Sequence, residues 1–125
     1  MKMVYLATFY SSYQGIPTWL KYIKMWYNWH RVNKIVTKCI RRGYVVFSPI
    51  THSHVIGVYP GTTLTDYELW MGQDKWYVEH CDELWILDHP LISQSYGVNK
   101  ELNWAKEQGK PVRWLNEKGD FIQHA

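Results

Sequence analysis

With 46% hydrophobic and 20% charged side chains, a chain of 125 residues is long enough for one domain with a buried core and too apolar for a disordered segment. No apolar run approaches a membrane span and the N-terminus carries no signal-peptide core, so a cytoplasmic protein is expected. The formal net charge of +3 is mild but unevenly spread: Lys21, Lys24, Arg31, Lys34, Lys38, Arg41 and Arg42 crowd one segment, read as a solvated helix face, with a site for an anionic ligand or nucleic acid as the alternative.

The first element is the apolar run MVYLAT (3–8), a buried strand, followed by the loop FYSSYQGIP. A long helix is predicted from Thr18 to Arg42, stopping at Gly43. Its inward stripe is Met25, Trp29, Val32, Val36 and Cys39, and a second apolar patch, Trp19, Ile23 and Trp26, lies on another side. YVVFSP (44–49) reads as a second strand ended by Pro49, and ITHSHVIGVYPGT as a loop rich in turn residues. A helix follows from about Leu64 to Cys81. ELWILD (83–88) is a third strand and HPLISQS a loop. Another helix runs from near Gly97 to Gln108 and stops at Gly109. PVRWL (111–115) is a fourth strand, and NEKGDFIQHA holds a turn with a short final strand or a tail. Cys39 and Cys81 fall in predicted helices and read as buried free thiols, not as a disulfide or a metal site.

Strands alternating with helices predict an α/β fold, a single-domain flavodoxin/Rossmann-like three-layer sandwich over 1–125 with a parallel sheet of four to five strands. In such sheets ligands bind beyond the carboxyl ends of the strands, so the loops starting at Thr8, Ser48, Asp88 and Leu115 should ring the site.

Two acids stand on faces where acids do not belong. In SYGVNKELNWA (95–105), Val98, Leu102 and Ala105 form an apolar stripe, and Glu101 falls on it. The preceding helix has the stripe Tyr67, Trp70, Met71, Tyr77, Val78 and Cys81, and Asp74 completes that series. Either acid alone reads as a structural carboxylate. Together, on the helices flanking one strand, they supply the pair needed to cleave a glycosidic bond. Glu101 should sit at the rim of the sheet, where the positive end of its helix favours the ionised form.

SYGVNKELNWAKEQGKPV resembles the signature of the nucleoside 2-deoxyribosyltransferase superfamily: a Gly, three residues, the catalytic Glu, a small residue, then a Gly-Lys-Pro close. Asp74, eight residues before Asp82, and Tyr5 in VYLA also match that superfamily, and the order of elements agrees over most of the chain. FSPITHSH is similar to a group of bacterial and phage members without assigned function. The resemblance implies that Glu101 attacks the anomeric carbon of a 2-deoxyribosyl group to form a covalent glycosyl-enzyme. Asp74 would manage the proton of the departing base and Tyr5 would orient Glu101. Water or a second base would then take the sugar, giving hydrolysis or transfer. Ser95 stands where the 2'-deoxynucleoside 5'-monophosphate N-hydrolases carry a phosphate-binding Ser and the nucleoside transferases an Asp, which leans toward a nucleotide substrate. Thr8, Phe9, Tyr10 and Ser11 of the first loop, with Gly97, His52 and His54, are the other expected substrate contacts. Thr8-Phe9 replaces a Gly-Pro common in that superfamily.

The resemblance implies no cofactor. The histidines of THSH lack further ligands at metal spacing, so they are expected at the pocket mouth or the surface. It also implies a homodimer or higher homo-oligomer, for which the Trp19, Ile23, Trp26 patch is the candidate contact. The rival reading is a binding module without turnover, in which the basic, aromatic helix 19–42 stacks and neutralises nucleic acid or a nucleotide.

Overall fold

Four short apolar runs become the parallel strands β1 (Met3–Ala7), β2 (Val45–Phe47), β3 (Glu83–Leu87) and β4 (Val112–Leu115). The final segment returns as β5 (Phe121–Ile122), antiparallel to β4. The computed structural model describes residues 2–10, 15–63 and 66–124. Strand order is β2-β1-β3-β4-β5, which makes an α/β sandwich of the flavodoxin/Rossmann-like kind. The chain reverses its direction of travel across the sheet between β1 and β3, and the crevice at that point is where such folds bind ligands.

The crossovers carry α1 (Thr18–Arg41), α2 (Pro49–Ile56), α3 (Tyr67–His80) and α4 (Tyr96–Glu107). Alternate residues of β1 face opposite layers. Val4 and Leu6 join Val32, Ile35, Val36 and Cys39 of α1, while Tyr5 and Ala7 join Val78 of α3 and Val98 and Ala105 of α4. Burial on both faces is why the central strands β1 and β3 are continuous apolar runs and not alternating ones.

Local chemistry sets the helix boundaries. Gly43, at φ +93°, closes α1 and donates its N–H to Ile40 O at 2.9 Å. Asp66 caps α3 by accepting from Leu69 N at 3.3 Å. Leu64, the expected first residue of that helix, lies outside the described residues. Ser95 caps α4 by accepting from Val98 N at 3.2 Å. Lys110 donates its ammonium to Glu79 O at 2.9 Å and also to Cys81 O, placing a cation at the carbonyl end of α3.

Three expectations change. The segment 50–62 is not all loop, because α2 occupies its first half. Pro49 does end the strand, but it also fills the first helical position, where its missing N–H has no intrahelical acceptor to lose. Ser48 caps this helix, accepting from Thr51 N at 3.3 Å. On α1, Trp29 is only half-buried, and Asn28 and Ile35 take inward positions instead. Asn28 is inside because its amide donates to Tyr10 O at 3.1 Å. Finally, Tyr67, Trp70 and Met71 are not core residues, although they begin the α3 stripe. Cys39 and Cys81 are buried free thiols. Among the described residues no helix is long and apolar enough to cross a membrane.

Candidate functional site

A cavity of about 450 Å³ lies beyond the carboxyl ends of β1 and β3. That volume is in the range of small-molecule sites. The loop after β1 contributes Thr8 and Tyr10, α1 Lys21, and α2 Pro49, Ile50 and Ser53. Tyr67, Trp70, Met71 and Asp74 come from α3, and Ser95, Tyr96, Gly97, Val98 and Glu101 from the start of α4. The α3 stripe is thus split along its length. Its first two turns line the cavity, and Val78 and Cys81 enter the core.

The two acids meet here. Glu101 is 4% exposed and Asp74 5%, yet both line the cavity. Burial, followed by the nearby Asp74 charge, holds the Glu101 carboxyl well above its usual range. Burial pushes Asp74 up to about 7. Glu101 thus lines the cavity beyond the strand ends, as expected, but at its floor, where burial disfavours the expected ionised form. It stands in the second turn of its helix, and desolvation outweighs the dipole, which fades beyond the first turn. Near neutral pH the pair retains a proton that two exposed carboxylates would have lost.

Tyr5 is fully buried beneath the pair, and its phenol is held well above its usual value by burial, then by Glu101 and Asp74. Its hydroxyl faces the Glu101 carboxyl and counteracts part of that group's rise, but falls short of a well-formed hydrogen bond. Tyr5 Oη, Thr8 Oγ1, Asp74 Oδ1 and Glu101 Oε2 are all buried without a partner. Buried polar atoms are nearly always paired, so three orphans lining one hollow, on Thr8, Asp74 and Glu101, with the fourth on Tyr5 behind Glu101, mark a place suited to receive hydrogen-bonding groups.

The other expected residues divide. Ser95 lines the cavity and caps α4; as its oxygen accepts from Val98 N, its own hydrogen can still be donated inward. Gly97 also lines it, and a Cβ there would lie 3.8 Å from Glu101 Oε1 and 3.5 Å from Met71 Cε, in the space before the carboxyl. Tyr10 lines the cavity with its hydroxyl on His54 Nδ1. His54 itself is outside the lining, buried and stacked on Trp29 at 5.1 Å, and burial holds its pKa below the usual value. His52 is exposed beside Phe47, and Phe9 is a core residue stacked on His89 at 4.5 Å. None of these three reaches the cavity. Ser11 lies outside the described residues.

Sequence reasoning missed Lys21, Trp70, Met71, Tyr67 and Tyr96 as lining residues. The aromatic pattern of α3 looks like core, and only the cavity reveals that half of it is site. Lys21 belonged to a basic cluster whose spacing does not single it out.

Comparison with curated proteins finds no match. A family model described as a domain of unknown function, DUF1937, matches residues 2–117, a span that takes in every cavity residue named above. The chain therefore belongs to the DUF1937 family.

Proposed function

We propose that the cavity cleaves the N-glycosidic bond of a 2'-deoxynucleoside 5'-monophosphate or 2'-deoxynucleoside, as the resemblance to the nucleoside 2-deoxyribosyltransferase superfamily suggests. The observation that carries this reading is the buried, electrostatically linked pair Asp74 and Glu101 facing one hollow. In the reactive arrangement Asp74 holds the proton and Glu101 is ionised. As the bond to the base lengthens, positive charge grows on the anomeric carbon and favours the Glu101 anion against its burial. Glu101 bonds to that carbon, and Asp74 delivers its proton to the leaving base. Asp74, now ionised, accepts a proton from water or an incoming base, which displaces Glu101 from the sugar. Tyr5 Oη and Thr8 Oγ1 are the neighbouring donors for the Glu101 oxygen and a sugar oxygen. Trp70, Tyr67 and Tyr96 offer aromatic faces for a base.

The test is chromatographic detection of free base from the common deoxynucleosides and their 5'-monophosphates. Ser95 decides between the two substrate types. If its hydroxyl holds phosphate, Ser95→Ala lowers kcat/KM on the monophosphate by roughly ten- to a hundredfold, Ser95→Asp lowers it further, and the nucleoside is nearly unaffected. If Ser95 only caps α4, Ala costs stability on both substrates and Asp, a good cap, is harmless. Nucleotide binding without base release would instead identify a sensor.

The exposed Trp19, Ile23 and Trp26 suit the subunit contact that the resemblance implies. A second reading draws on another groove, of about 530 Å³, lined by Tyr27, His30, Arg31, Lys34 and Lys38 with one acid, Glu117. Such a surface suits single-stranded nucleic acid, and salt-sensitive oligonucleotide binding is its signature.

A further inference from the structure

We propose that Lys21 is the specificity residue of the cavity, binding an anionic group, specifically the 5'-phosphate, of the ligand. The inference rests on the glycosidic reading above and names the part of the substrate that this residue reads. Two acids occupy the cavity floor, so a phosphate entering the same hollow needs a compensating charge. Ser95 can donate one hydrogen bond but carries no charge. Among the described residues lining the cavity, Lys21 is the single Lys or Arg.

Its position is defined. Lys21 lies in the opening turns of α1 and donates to Tyr67 Oη at 3.0 Å, with Nζ 5.5 Å from the centre of that ring. Tyr67 in turn lines the cavity from α3. No described carboxylate lies within ion-pair distance of Lys21, whereas Lys2 and Lys75 pair with Glu83 and Glu79. An ammonium has three hydrogens, and the bond to Tyr67 uses one. Lys21 is half-buried, as Tyr67 is partly exposed, while Glu101 and Asp74 are deep. The cavity is therefore polarised, with acids at the floor and a cation at the mouth. A molecule whose reacting carbon is presented to acids and whose other end is a dianion matches that polarity.

The experiment measures binding and base release for wild type, Lys21→Met and Lys21→Arg, with deoxynucleoside 5'-monophosphates and the matching nucleosides as probes. Met is a good helix former, so the half-exposed site tolerates it. Lys21→Met should weaken monophosphate binding by roughly tenfold or more and leave kcat little changed. Nucleoside binding should stay as in wild type, Lys21→Arg should recover part of the loss, and the salt dependence of monophosphate binding should shrink in the Met variant. An equal loss on both probes would show that Lys21 merely props Tyr67 and would overturn the proposal. So would a monophosphate preference that survives Lys21→Met but not Ser95→Ala. A Lys21-dependent monophosphate complex that releases no base would uphold the proposal while sinking the glycosidic reading. Absence of binding by either probe to wild type would sink both.

Discussion

On the proposed glycosidic reading, Glu101→Gln should lower base release by roughly a thousandfold or more, while making the protein more stable at neutral and higher pH. The first part follows from chemistry: an amide of the same shape cannot form the ester to the anomeric carbon, and losing a nucleophile is among the largest single-residue losses enzymes show. The second follows from burial. In the folded protein Glu101 keeps its proton far above the 4.5 of a free glutamate. Between those two values the folded state binds more protons than the unfolded chain, so stability falls as pH rises through that window. Gln has no proton to lose. The melting temperatures of variant and wild type should thus converge near pH 4 and separate, in favour of the variant, toward pH 8. Thermal unfolding across that range checks this, alongside chromatography of the base. A 2-fluoro-2-deoxyribosyl group trapped on any residue but Glu101, or near-normal release by the variant, removes Glu101 from the mechanism.

On the same reading, Asp74→Asn should slow substrates with poor leaving bases by about a hundred- to ten-thousandfold, and good leaving bases much less. Proton delivery matters more as the base becomes harder to expel. The active form needs the Asp74 proton together with an ionised Glu101, so it is the singly protonated pair, and burial raises both groups. Wild-type kcat/KM should therefore rise as the pair loses its first proton near pH 7 and fall at higher pH as it loses the second, and the Asn variant should lack that alkaline fall. The stability sign matches that of Glu101. Asp74 is raised from 3.8, so its burial cost is absent below about pH 4 and complete above about pH 7. A loss that is equal for good and poor leaving groups, with a shifted melting temperature and an unchanged pH limb, would make Asp74 a structural acid.

The elements were legible where one physical rule dominated. The strands buried on both faces, β1 and β3, produce continuous apolar runs, and Gly43 and Gly109 mark real helix ends. The helix α2 was illegible because its apolar residues do not repeat at helical spacing and because Pro49 serves two roles at once. Glu101 and Asp74 stood out as charges on apolar stripes. Their ionisation did not, since it depends on how deeply each is enclosed, which periodicity cannot express. The histidines misled for a related reason: adjacent helical residues point in different directions. In α2 this sends Ser53 into the cavity, His54 into the packing against α1 and His52 to solvent.

The split face of α3 makes the cost of a substitution depend on the turn in which it falls. Truncating Val78 would open a void inside a packed core and cost stability. Replacing Trp70 or Met71 only reshapes a hollow that already exists. Core packing and cavity shape are thus set by successive turns of one helix, in residues of the same apolar character. Substitutions in the first two turns therefore alter the cavity wall, whereas those in the later turns act on the packing beneath the sheet, with Asp74 at the boundary between the two.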